Sequence, residues 1–354
     1  MSSLRLRFPD HSRRQFLTVL TGFGAGAFLS SRTPAAQRKP TTTGRPRLID
    51  LHHHFFPPAF VAAALDKYRQ RERTIVADWT PRKALEEMDR RGVATAVLSI
   101  TTPGVWFGDA QAARTLARQC NEYAAQMVKE NPTRFGFFAA VPLPDAEGSL
   151  REVEYALDVL KADGIGLMTS YGDRWLGDPA FAPVLDELNR RKAVVYVHPT
   201  AANCCRDLLP DVPTPLVEFP HDTTRAITNL LYSGSFARLR NIRFIFSHAG
   251  GTIPMLAGRI SQLGTLFGSD KRVPNGVEYE LRRLHYEIAN SGNAHTMAAL
   301  MSLVPPSRIM FGTDYPFVPI EATADGMLKL KLTHKELQAI GRNNALALLP
   351  RLSA

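Results

Sequence analysis

Hydrophobic and polar positions along the chain divide it into short apolar runs of strand length, separated by longer stretches whose apolar residues recur at helical spacing. The strand-like runs are Ile49 to His54, Thr95 to Ile100, Phe135 to Val141, Gly164 to Met168, Ala193 to Val197, Ile242 to Phe246, His285 to Ala289 and Arg308 to Phe311. Thr80 is a suitable N-cap with Pro81 at the first helical position, and Ala84, Leu85 and Met88 give that helix an apolar stripe up to Gly92. Gln111 to Lys129 carries Leu116, Cys120, Tyr123, Ala124 and Met127 on one side. Further helices are expected over Leu150–Leu160, Phe181–Arg190, Ala294–Leu303 and Lys335–Leu348, with another capped by Asp222 and running through Leu231. The Pro-rich stretch before it, up to Pro220, reads as a long active-site loop.

This alternation, with no domain-sized break in composition, predicts an α/β fold and within that class a (β/α)8 TIM barrel. A single domain is expected over residues 47–354. No glycine pattern of the dinucleotide or P-loop kind follows the first strand, so an open Rossmann sheet has no support.

Charge alters the picture mainly by where it sits. The net charge is +10, but residues 1–47 hold nine basic residues and one acid, leaving +2 for the rest of the chain. A nucleic-acid-binding face is therefore not expected. Ser12-Arg13-Arg14-Gln15-Phe16-Leu17 and the apolar run to Leu29 have the layout of a twin-arginine signal, which predicts export to the periplasm. The run is shorter and more interrupted than the roughly 20 apolar residues a bilayer span needs, so no membrane association is expected after export. Residues 1–46 are read as this signal and a disordered lead-in. Cys120, Cys204 and Cys205 form too small and odd a set for a disulfide framework, and the adjacent pair is not expected to bridge.

Candidate chemistry lies at the ends of the strands. The first closes on Asp50-Leu51-His52-His53-His54, where alternation sends His52 and His54 to one face and makes His53 a spacer. The fifth closes on His198, the sixth on His248, and the eighth on Asp314. A barrel brings these carboxyl ends to one mouth. His52, His54, His198 and Asp314 supply nitrogen and oxygen donors suited to a divalent ion, with Zn2+ the first choice and Mn2+ the alternative. His248 suits a general base, or else a further ligand; Asp314 is a second candidate to carry a proton.

With these residues in view, the chain from about Arg47 to Leu349 resembles the amidohydrolase-related metal enzymes of the aminocarboxymuconate semialdehyde decarboxylase group, and within it the 6-methylsalicylate decarboxylases. The resemblance rests on Ile49–Pro58, Trp79–Gly92, Gly164–Tyr171, Val194–Thr200, Phe219–Ala226, Phe246–Arg259, Phe311–Pro316 and Asn344–Pro350. It implies a distorted barrel, a metal on His52, His54, His198 and Asp314, and His248 as the catalytic histidine. It further implies that Arg259 reaches a neighbouring subunit's pocket to bind the substrate carboxylate, hence a homodimer. The export signal departs from that group's usual pattern, and Arg69 to Ala77, with Arg71 and Arg73, does not align with it.

The expected activity is non-oxidative decarboxylation of a small aromatic or enol-type carboxylic acid, with Trp79, Phe317 or Tyr171 against the ring. Hydrolysis of an ester, lactone or amide uses the same kind of site and is the alternative. A non-catalytic metal-binding protein is the third reading, and the presence of His248 and Asp314 beside the ligand set weighs against it.

Overall fold

The computed structural model describes residues 48–206, 208–268 and 271–353. The predicted signal and lead-in lie outside the described residues. Ten strands follow in chain order: β1 (Leu48–His54), β2 (Val93–Ser99), β3 (Phe135–Ala140), β4 (Gly164–Met168), β5 (Ser170–Tyr171), β6 (Arg174–Trp175), β7 (Val194–His198), β8 (Arg243–Phe246), β9 (His285–Glu287) and β10 (Ile309–Met310). β5 and β6 form a small antiparallel hairpin, and the other eight make one parallel sheet in the order β1-β2-β3-β4-β7-β8-β9-β10. Its two ends meet, because the Leu51 amide donates to the Phe311 carbonyl at 3.0 Å and His53 bridges Tyr315 in parallel. The predicted barrel is therefore present and nearly closed.

The helices are α1 (Pro58–Ala64), α2 (Gln70–Asp78), α3 (Pro81–Arg91), α4 (Ala110–Glu130), α5 (Ala146–Glu154), α6 (Ala182–Arg190), α7 (Thr214–Tyr232), α8 (Ser235–Arg238), α9 (Ile253–Leu266), α10 (Val277–Arg283), α11 (Ala294–Leu303), α12 (Ile320–Leu328), α13 (His334–Gln338) and α14 (Asn344–Leu348). Among the described residues, no helix is long and apolar enough to cross a membrane. Thr80 caps α3 as expected, accepting from the Lys83 amide at 3.2 Å. Asp222, by contrast, caps nothing. α7 begins at Thr214 and runs through Pro220, so Asp222 lies fully buried in its middle. There its carboxylate accepts from Thr169, Ser170 and Trp175, joining the helix to the end of β4 and to the β5–β6 hairpin. Three donors around a buried carboxylate outweigh the local preference of Asp for a cap. Cys120 is buried on α4, as expected; Cys204 and Cys205 are joined as a vicinal disulfide within a 3-10 turn, against expectation.

Alternation along the strands sorts the apolar residues into two cores. Ile49, Leu51, Val97, Phe138, Val194, Tyr196, Ile245 and Met310 pack inside the barrel, with Ala345, Leu348, Leu349 and Leu352 of the C-terminal segment against them. Their neighbours on the same strands, such as Leu98, Phe137, Val195 and Phe246, join the layer between strands and helices. On β7 the inward series Val194 and Tyr196 leads directly to His198. On β1 the series Ile49 and Leu51 would lead to His53, but the pairing with β2 slips by one residue between Asp50 and His53. That bulge inverts the phase, so His52 and His54 turn inward and His53 turns out. Asp50 holds the bulge, one oxygen accepting the amides of His52 and Thr313 at 3.0 Å each and the other accepting Nδ1 of His53 at 2.9 Å.

At the opposite end of β9, His285 is buried and neutral. Arg308 donates to its Nε2 at 2.8 Å, which leaves Nδ1 to donate to the Phe244 carbonyl at 3.2 Å. Burial, reinforced by the Arg308 charge, lowers its pKa to about 4. The unfolded chain takes up this proton near the ordinary pKa of about 6.5, so the stabilisation is complete above that pH and lost as pH falls toward 4. The expected loss is about 2–3 kcal/mol. Urea unfolding at pH 7 and 4.5 should show a smaller drop for His285→Gln than for wild type; an equal drop would exclude His285 as the group responsible.

Candidate metal centre

The inward phase of β1 brings His52 and His54 edge to face, with Nε2 atoms 3.0 Å apart. Asp314, four residues beyond β10, turns Oδ1 toward both, 3.3 Å from Nε2 of His52 and 3.1 Å from Nε2 of His54. His198 completes the group, with its ring centroid 5.1 Å from that of His52 and 4.8 Å from that of His54. One donor atom from each of the four residues lies within 4.8 Å of the other three.

Hydrogen bonding fixes what these atoms can do. Nδ1 of His52 meets a carboxylate oxygen of Glu287 at 2.7 Å, and Nδ1 of His54 meets the Ser99 carbonyl at 3.1 Å. Both partners are acceptors, so both Nδ1 atoms carry protons, and with no second proton on either ring the two aim bare Nε2 lone pairs at each other and at Asp314. Three acceptors converge with no donor among them. Nδ1 of His198 is also buried with no hydrogen-bond partner among the described residues. A positive charge relieves such an arrangement, as a proton on Nε2 of His52 or as a bound cation, and separations of 3.0 to 3.3 Å match donors sharing an ion at about 2.0–2.2 Å.

The electrostatics agree. Burial opposes protonation of His52, yet Glu287 and Asp314 together raise its pKa to about 10. Burial lowers His54, and lowers His198 well below the usual range, with the neighbouring histidines adding to that shift. Burial would raise the Asp314 carboxyl, but the His52 charge and its hydrogen bond hold it well below the ordinary value. The site thus favours one positive charge in a ring of neutral nitrogens and carboxylates, and its residues fit a divalent ion.

His248 follows β8 in a left-handed conformation, φ 50°, with Ala249 at 59°. Its ring centroid stands 4.9 Å from that of His52. Nδ1 donates to the Ala289 carbonyl at 2.9 Å, and Nε2 has no hydrogen-bond partner among the described residues. Asn290 and Asp314 also have positive φ, so of the six non-glycine residues with this conformation among the described residues, four, His248, Ala249, Asn290 and Asp314, surround the centre. Strained backbone concentrates where side chains are aimed.

Sequence reasoning missed Glu287. One of its oxygens binds both Nδ1 of His52 and the His248 amide, at 2.7 and 2.9 Å, while the other accepts from the Ala289 amide at 2.6 Å. It therefore holds His52 and His248 in one relation. Its sequence signal was an acid inside the apolar run His285 to Ala289. Gly312 makes room for it, since a Cβ there would lie 2.1 Å from a Glu287 oxygen.

The other predicted residues occupy distinct places. Phe317 packs 5.7 Å from His54 and 5.8 Å from Phe56, and Trp79 stands behind Phe56, edge-on at 5.9 Å. Trp79 is buried, and its indole N–H has no partner among the described residues. Tyr171 lines a cavity of about 260 Å³ over the ends of β2, β4 and β7, with Val105, Trp106, Met168, Thr200 and Arg206. Arg259 lies exposed on α9 and makes no ion pair or hydrogen bond among the described residues. Arg73 donates to the Tyr68 and Asp66 carbonyls at 2.8 Å each, a local tie at the start of α2. His53 is buried, stacked on Tyr315 at 4.7 Å.

A barrel with a histidine–carboxylate cluster at the carboxyl ends of its strands defines a metal-dependent enzyme of the amidohydrolase type. The family profile described as amidohydrolase matches residues 49–351, and the chain belongs to that family. Among curated proteins it is 38% identical over 322 residues to the decarboxylase yanB of Aspergillus niger, covering 86% of this chain and 87% of that one. It is 37% identical over 320 residues to the 6-methylsalicylic acid decarboxylase acuB of Aspergillus aculeatus, covering 86% and 96%. Among solved structures, a dihydroxybenzoic acid decarboxylase of Polaromonas with bound manganese and 2-nitroresorcinol shares the fold, with a TM-score of 0.77 at 22% identity over 86% of this chain and 97% of that one.

Proposed function

We propose that this protein is a metal-dependent carboxy-lyase that removes carbon dioxide from a small hydroxylated aromatic acid of the 6-methylsalicylate kind. The observation that carries this reading is the convergence of His52, His54, His198 and Asp314 beside the free Nε2 of His248, in a chain whose curated relatives are decarboxylases over most of its length. Three nitrogens and one carboxylate favour zinc, with manganese as the alternative.

When bound, the ion supplies a Lewis-acid contact for the carboxylate and ortho hydroxyl of such an acid. The remaining work falls to side chains. Phe317, backed by Phe56 and Trp79, gives the aromatic ring a flat apolar wall beside His54. His248, protonated at Nε2, passes that proton to the ring carbon bearing the carboxylate. The bond to the carboxylate then breaks, its electron pair restores aromaticity, and carbon dioxide leaves. Asp314 has Oδ1 committed to the histidine pair, which favours His248 as the proton carrier.

The reading extends to assembly and location. α9 carries Arg259 beside apolar residues left in solvent, Met255 at 76% and Leu266 at 75% exposure, with Phe267 just beyond at 77%. Such a face suits a second copy of the chain, and pairing would deliver Arg259 to the neighbouring site as a carboxylate ligand. The leader would export the folded dimer to the periplasm.

Incubating zinc- or manganese-loaded protein with 6-methylsalicylate, 2,6-dihydroxybenzoate and 5-carboxyvanillate should release carbon dioxide and the matching phenol from at least the first. A protein that released none, but opened a lactone or cleaved an ester, would be a hydrolase instead.

A further inference from the structure

β9 supplies none of the four proposed ligands, yet the segment at its end touches three residues of the site. Glu287 holds His52 and the His248 amide, the Ala289 carbonyl holds Nδ1 of His248, and Nδ2 of Asn290 donates to Oδ2 of Asp314 at 2.7 Å. The first two contacts orient histidines. The third settles which oxygen of Asp314 faces the histidine pair.

A carboxylate with both oxygens free can rotate and offer either or both to a cation. Here the two are distinguished: Oδ1 lies 3.1 and 3.3 Å from the histidine Nε2 atoms, and Oδ2 lies on an amide donor. The carboxylate can only accept, so the amide nitrogen, not its oxygen, must face it. Asn290 is exposed, and its left-handed backbone, φ 58°, is one that Asn tolerates better than most residues. Its own amide is tied to Thr323 Oγ1 at 3.3 Å, which fixes the root of the side chain. An exposed side chain in a restricted conformation, spending its donor on a single carboxylate oxygen, has little to contribute to folding.

We propose that Asn290 is a positioning residue that holds Oδ2 of Asp314, so that Oδ1 alone is presented to the ion and the side facing substrate stays open. The proposal rests on the metal-dependent reading above and concerns this chain's own hydrogen bond toward the site.

The test is Asn290→Gly, which keeps the backbone conformation and removes only the amide, with Asn290→Ser as a second variant should the first fail to fold. Metal-free protein is titrated with manganese(II) alone, free ion being read by electron paramagnetic resonance, and the variants are then assayed for kcat and KM. Loss of an outer hydrogen bond to a metal ligand weakens affinity by about 10- to 100-fold. The expected result is a loss at the lower end of that range, a fall in kcat larger than any rise in KM, and an unchanged melting temperature of the metal-free protein. Manganese affinity within twofold of wild type would overturn the proposal while leaving the metal-dependent reading standing. A wild-type protein that bound no manganese or zinc would overturn both.

Discussion

Replacing His52 with alanine is expected to strip the ion from the protein and bring decarboxylation to background. The ring is fully buried, its Nε2 is one corner of the acceptor triangle, and its Nδ1 is locked to Glu287 at 2.7 Å. The affinity loss should exceed the roughly 100-fold upper end of what a missing outer partner costs. The substitution also leaves Glu287 as a buried carboxylate without its counter-charge, a change that costs about 3–5 kcal/mol in comparable cases. His198→Ala separates the two effects, since His198 bonds no carboxylate. It should lose the ion with far less effect on melting. Metal analysis of both purified variants decides the matter, and stoichiometric zinc or manganese in either would remove that residue from the ligand set.

His248→Ala should behave in the opposite way, retaining the ion and losing the chemistry. His248 stands outside the four-residue group, with Nδ1 donating to a carbonyl and Nε2 free. Removing a positioned acid–base group typically costs about 10²–10⁴-fold in rate, and the loss should fall on kcat with little change in KM. If metal content drops with activity, His248 is a ligand after all. If activity stays within tenfold of wild type, the proton comes from elsewhere and Asp314 becomes the candidate.

Much of this is legible in the sequence. Apolar runs of strand length alternating with helical stripes gave the barrel, and the metal-binding residue types at four strand ends gave the centre, because a barrel gathers those ends regardless of separation. What was hidden depended on tertiary partners. Glu287 and Asn290 belong to a strand end that carries no histidine, and their importance lies in the atoms they hold rather than in their own chemistry. Asp222 was misplaced because local pattern cannot show that three donors from distant loops will surround it. The vicinal disulfide was missed because ring closure between neighbours depends on a turn that the residues around it do not announce. The two-residue alternation that paired His52 with His54 was correct, but carrying it back to Ile49 and Leu51 would have failed, since only the slip in pairing with β2 puts all four on the inside.

That slip makes β1 two strands out of step with one another. The half that fills the barrel and the half that carries the site answer to separate phases, joined by the bond from Asp50 to the His52 amide. Residues before the bulge can therefore be exchanged for other apolar groups without re-aiming the histidines. Losing or gaining one residue between Asp50 and His52 would instead turn the imidazoles of His52 and His54 into the helix layer and bring His53 to the mouth. For this strand, length is a stricter constraint than composition, and a copy of the histidine motif placed on a regular strand of another barrel would need its apolar residues shifted by one position to present the same face.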